Sequence, residues 1–201
     1  MFRLWAVLTC FVSVTAYCQK DPCDLKRDID GIKVYTCKTG NEKFKLLRAE
    51  FELSNVSMSQ LKSFIWNVPN YINWQYNMIE SELISTEDDN NITYRSLVHA
   101  PWPVENRELV LKVKMEEGQT ATSIFIRSFE YARPIPPDVV RVPFFDASWK
   151  IIHEEKNLKV TYTLRIDPGG SVPAWLANLA MAEGPFISFK KLKYQIENPG
   201  K

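Results

Sequence analysis

Along residues 108–117 apolar and polar positions alternate, with Leu109, Leu111, Val113 and Met115 on one side and Val110, Lys112 and Lys114 on the other. That period of two marks a strand with one buried and one mostly wet face. Residues 74–85, 92–100 and 121–131 read as its neighbours, separated by short turns at Asp88-Asp89-Asn90-Asn91, Pro101-Trp102-Pro103 and Glu117-Gly118-Gln119. Short turns between successive strands predict an antiparallel meander. Two more strands, 140–154 and 158–166, follow the stiff loop from Arg133 to Asp138 and meet at Glu155-Lys156-Asn157. Upstream, a charged helical turn at 24–28 leads into a strand at 32–37. That strand turns at Thr39-Gly40-Asn41 and pairs with 44–53.

Helical spacing takes over twice. Leu61, Phe64, Ile65 and Val68 form the apolar face of a short helix, capped by Ser57 or Ser59 and ended by Pro69. The second helix closes the chain. The last strand stops at Asp167-Pro168-Gly169-Gly170, where proline removes a donor and glycine allows positive φ. Ser171 and Pro173 then suit a first turn. From there Val172, Trp175, Leu176, Leu179, Ala180 and Ala182, and beyond them Phe186, Phe189, Leu192 and Ile196, repeat at helical spacing, with a kink expected at Gly184-Pro185. A helix over 173–198 spans roughly 35 Å at about 1.5 Å per residue, enough to cross a whole sheet. The expected fold class is therefore α+β: two strands, a helix, six strands and a long helix. Such a sheet must curl strongly, with the closing helix filling its concave side.

A chain of 201 residues that is 45 % hydrophobic and 12 % aromatic suits one well-buried domain. A net charge of +1 gives no footprint for nucleic acid. The first residues change the picture more. Met1-Phe2-Arg3 is a positive start, 4–14 is an apolar run too short to span a bilayer comfortably, and Ala16-Tyr17-Cys18 precedes a polar stretch. Residues 1–18 thus read as a cleaved secretory signal, in preference to a lipidated Cys18, and 19–201 as the mature domain. It would be exported to a periplasm or outside the cell. Cys23 and Cys37 remain as an even pair, read as a disulfide rather than two separate thiols, and without the companions a metal site needs. Asn55-Val56-Ser57 and Asn91-Ile92-Thr93 would be glycosylation sequons only in a eukaryotic source.

In family order, the segments Asp30-Gly31-Ile32-Lys33-Val34-Tyr35, Pro101 to Val110, Val140-Arg141-Val142, Ala147-Ser148-Trp149 and Asp167 to Asn178 resemble the START domains, the lipid-transfer domains related to the steroidogenic acute regulatory protein. The resemblance runs from about Asp30 to Lys193 and is that of a bacterial exported, single-domain member. It implies a helix-grip fold and a tunnel between sheet and C-terminal helix that holds one lipid or other hydrophobic molecule, the helix moving to admit it. It also implies transient contact with a membrane and a monomer. On the residues, Leu109, Leu111, Val113 and Met115 supply an apolar inner face, and Trp175, Leu179, Ala182 and Phe186 a matching helix face. Where some sterol-binding members carry a buried arginine, this chain has Val113, which argues for a different headgroup. Arg127 could substitute from a later strand, or could face outward.

Arg107 and Arg141 are read as partners of carboxylates that fix turns, in preference to anion ligands. Asn178 is read as making a structural contact. His99 and His153 stand at strand ends, read as a turn residue and a solvated residue. No nucleophile elbow, metal-binding helix or phosphate loop is present, so no catalytic residue, cofactor or metal is called for. An enzyme of the aromatase or cyclase type on the same fold is the alternative. It would need Tyr94, Tyr162 or Asp146 inside the tunnel, which alternation does not decide. A ligand sensor acting on a protein partner, through Trp102 and the proline-rich loop, is the third reading.

Overall fold

The computed structural model describes residues 23–38, 45–172 and 174–200, with the side chains of 174–180 and of Ala182 outside the description. The expected signal segment and the turn at 39–41 also lie outside it. The described chain opens on β1 (Cys23–Ile29), where a helical turn was expected. Two features override the local charge pattern. Cys23 is disulfide-bonded to Cys37, its register partner on β2 (Ile32–Cys37), and the two-residue turn between these strands has positive φ at Asp30 (55°) and Gly31 (73°). A turn of that kind matches the twist of a tight hairpin.

The remaining strands are β3 (Leu46–Ser54), β4 (Met78–Asp88), β5 (Asn91–Val98), β6 (Asn106–Glu117), β7 (Ala121–Ser128), β8 (Val139–Arg141), β9 (Phe144–His153) and β10 (Asn157–Asp167). All but one lie in a single antiparallel path, β1-β2-β3-β10-β9-β7-β6-β5-β4. The stretch 140–154 divides because Pro143 has no N–H for a ladder. Its first piece, β8, pairs in parallel with Asn106 to Glu108 of β6, below the point where β7 takes over at Leu111.

Helix α1 (Met58–Trp66) has the reciprocal cap its sequence suggests, with Ser57 Oγ accepting from Gln60 N and Gln60 Oε1 accepting from Ser57 N. A 3-10 turn (Val68–Asn70) and the short α2 (Tyr71–Trp74) follow, so β4 starts at Met78 rather than Trp74. The closing helix α3 (Ala174–Glu197) is one helical segment that runs through Pro185. Phe186, Phe189, Leu192 and Ile196 put it in the core against the sheet. Phe189 is the hub: its ring stacks on Phe51 of β3 at 4.8 Å and meets Trp149 of β9 and Tyr162 of β10 edge-on at 5.4 and 5.1 Å. Offset and edge-to-face contacts of this kind add directional preference to apolar burial.

Candidate ligand-binding cavity

Beyond Phe189 the helix and the sheet part. The space between them is a cavity of about 1020 Å³, at the upper end of the range usual for small-molecule sites. Its buried wall comes from α1 and α2 (Ile65, Tyr71, Trp74), from the sheet (Met78, Tyr94, Leu109, Trp149, Tyr162) and from Phe189 of α3. Exposed rim residues include Lys45, Asn77, His99 and Pro101. The close approach of α3 to the 75–77 segment depends on Gly184, where an added Cβ would lie 3.3 Å from the Tyr76 ring. Ser188 completes that junction by accepting from Tyr76 N and donating to the Gly184 carbonyl, each at 2.9 Å.

The deep wall is apolar but not inert. Tyr94 and Tyr162 are buried and make no hydrogen bond to any described residue, and the indole N–H groups of Trp74 and Trp149 are buried without an acceptor. Tyr71, by contrast, donates to the Ile65 carbonyl at 2.5 Å. Burial pushes all three tyrosine hydroxyls well above the ordinary range, and the neighbouring Tyr94 adds to the effect at Tyr71 and Tyr162. The hydroxyls of Tyr94 and Tyr162 are therefore neutral hydrogen-bonding groups of the wall.

Arg95 of β5 and Glu108 of β6 point the other way. Glu108, wholly inaccessible to solvent, accepts from Arg95 Nε at 2.6 Å and from Arg141 Nε at 2.7 Å, while Arg141 also donates to the carbonyls of Tyr131 and Arg133. Burial, the largest influence on Glu108, pushes its carboxyl up, but the bonds from the two guanidiniums outweigh it and leave it below the ordinary carboxylate range. Alternation sets Glu108 and Arg95 on the face opposite Leu109 and Tyr94, so this network fastens β5, β6 and β8 outside the cavity.

Of the residues expected to line a cavity, Leu109 does so. Leu111, Val113 and Met115 are buried farther along β6 and do not reach the cavity wall. They run toward the end of the sheet where Lys62 of α1 bonds Asn90 and Glu117, each at 2.7 Å, and there they fill core. Phe186 is likewise core, its neighbours Pro185 and Phe189 lining the space instead. Arg127 is corrected: its side chain is largely exposed and pairs with Asp146 at 3.3 Å, because its strand position faces outward. Asp146, bound also to Arg165, stays outside with it. Trp175, Leu179, Ala182 and Asn178 have side chains outside the described residues. His153 is half-buried against the Thr122 hydroxyl at 3.0 Å, more enclosed than expected. Sequence reasoning missed Trp74, Met78 and Trp149 as wall residues and left Tyr94 and Tyr162 undecided. The alternation in β5, β9 and β10 was the available signal, but it needed the register to say which face turns in.

A family model for the START domain matches residues 26–198. The chain belongs to the START domain family. An uncharacterised protein of Pseudomonas aeruginosa is 29 % identical over 177 residues, 86 % of each chain. Among solved structures, a STAR-related lipid transfer protein fragment from Xanthomonas axonopodis superposes with a TM-score of 0.80 at 27 % identity, covering 89 % of this chain and all of that one. Human STARD10, at 20 % identity, shares the fold with a TM-score of 0.75 over 87 % of this chain and 73 % of its own. This START domain thus has its long C-terminal helix against a large antiparallel sheet, as its structural relatives do.

Proposed function

We propose that this START domain binds one lipid or other hydrophobic molecule between its sheet and α3 and carries it between membranes, without catalysing a reaction. The carrying observation is the cavity of about 1020 Å³ with its aromatic and aliphatic wall, in a family whose relative from Xanthomonas axonopodis is named as a lipid transfer protein. Apolar burial, at roughly 25 cal/mol per Å² before ordering costs are subtracted, provides most of the affinity. Release requires α3 to move away from the 75–77 segment. Trp102, 91 % exposed beside the rim residue Pro101, supplies the membrane contact, since indole suits the interface between water and lipid. The first 18 residues act as a cleaved signal, and the mature monomer works in an exported compartment, where the Cys23–Cys37 disulfide persists.

Tyr94 and Tyr162 do stand in the cavity, as the enzyme reading requires. Among the described residues of the buried wall neither has an acid or base beside it, and burial holds both protonated, so they are suited to hydrogen bonding rather than proton transfer. Native mass spectrometry of the exported protein, followed by denaturing extraction, tests the carrier reading. One lipid class at one molecule per chain is expected. An empty protein that takes up nothing from a total lipid extract would refute it. Trp102→Ala should slow transfer between vesicles severalfold and leave the bound fraction unchanged; equal transfer rates would remove Trp102 from the membrane contact.

A further inference from the structure

The cavity wall holds one buried cation that makes no ion pair with any described residue. Arg107 is 8 % exposed and lines the cavity beside Gly170. Every other described arginine has a carboxylate within ion-pair distance, including the buried Arg95 and the half-buried Arg141, which share Glu108. Arg107 has only carbonyls. Its Nε donates to Pro168 O and its Nη2 to Gly169 O, each at 3.0 Å, and its Nη1 donates to Glu105 O. Carbonyl dipoles orient a guanidinium and do not cancel its charge. Leaving such a charge buried is unfavourable unless a counter-ion arrives.

Geometry leaves room for one. A guanidinium has five N–H donors, and three carbonyl bonds leave a further N–H on each terminal nitrogen. A Cβ placed on Gly170 would sit 3.6 Å from Arg107 Nη2, so the bare backbone there keeps a side chain away from the fork. Neither acid close by in the chain makes an ion pair with it: Asp167, which lines the same cavity, accepts from Gly169 N at 3.0 Å, and the Glu105 carboxylate, exposed on its loop, acts on Arg107 through its charge alone. The deep wall past Arg107, with Tyr94, Tyr162, Trp74 and Trp149, carries no charge.

Resting on the carrier reading, we infer that Arg107 recognises the anionic head of the cargo, a carboxylate or phosphate group of an amphiphile. The head lies against the two remaining N–H donors beside the Gly169-Gly170 turn, and the apolar tail runs inward over Leu109 toward Trp149 and Phe189. A planar fork presenting paired donors is the geometry that both anions accept.

The test is titration calorimetry of the lipid-stripped mature protein with three probes, dodecanoate, dodecanol and inorganic phosphate, at about pH 8, where the carboxylate is ionised. Wild type should bind dodecanoate about tenfold or more tightly than dodecanol, as a charge-assisted pair implies. Arg107→Gln should bring the two within about twofold by weakening dodecanoate binding more than dodecanol binding, and Arg107→Lys should retain part of the preference. A wild-type protein that binds both amphiphiles equally, or an Arg107→Gln protein that keeps the preference, overturns the inference and leaves the carrier reading standing. Inorganic phosphate binding as tightly as dodecanoate would make this a free-anion site and overturn it also. Failure to bind either amphiphile refutes the carrier reading itself. Should Arg107→Gln not fold, the wild-type ratio decides alone, and it should shrink as salt is raised if a charge pair carries it.

Discussion

Glu108 keeps its charge in a place with no water because Arg95 and Arg141 reach it from two neighbouring strands. Glu108→Gln would leave Arg141 without a carboxylate and Arg95 with Glu80 alone, and a loss of roughly 3–5 kcal/mol in urea unfolding is expected. The sign with pH follows from its lowered folded value: its contribution is complete above the ordinary glutamate range, about pH 4.3, and is lost as pH falls through the folded value. Tyr71, Tyr94 and Tyr162 act at the other end. Their folded values are raised, so the unfolded chain ionises first, and stability falls as pH climbs above about 10. The expected slope is up to about 1.4 kcal/mol per pH unit for each tyrosine. Alkaline melting curves of wild type and the Tyr94→Phe, Tyr162→Phe double variant check this, the variant showing the shallower fall. At this scale the sequence was partly legible. Arg141 was readable as the partner of a carboxylate, but Arg107 looked the same on paper and has none, since partners are chosen by folding and not by spacing.

Elements with a periodic pattern and a chemical stop signal could be read from the chain alone. Helix α1 is the clearest, with Ser57 and Gln60 at its start and Pro69 just after its end. Ser57→Ala should lower stability by about 1 kcal/mol in thermal or urea melts. β1 was not legible, because Asp24, Lys26, Arg27 and Asp28 carry no alternation and only the pairing with β2 makes them a strand. That pairing is fastened covalently, and the hairpin is tied to α3 by Arg27 with Glu183 and by Asp30 with Lys190 at 2.6 Å. Replacing Cys23 and Cys37 together by serine should cost about 3 kcal/mol in the chain-entropy account, read as a lower urea midpoint. The cavity wall was the least legible part. Its residues come from ten separate elements, and a strand's inward face is decided by register with its neighbours rather than by its own composition.

Across the whole molecule, the sheet order joins the beginning of the described chain to its end. β3 reaches the rest of the sheet only through β10, with Leu47 opposite Leu164 and Ser54 opposite Asn157. The side-chain bond from Asn157 to Glu52 crosses 105 residues. A chain still emerging from the ribosome therefore has no place to dock β1, β2 and β3 until nearly four-fifths of it exists, and α3, which covers the same strands, comes later still. Contacts so distant in sequence make for slow folding. Through that interval Val34, Leu47, Ala49, Phe51 and Leu53 have no sheet or helix to cover them, so the amino-terminal third of the nascent protein is a natural client for a holding chaperone.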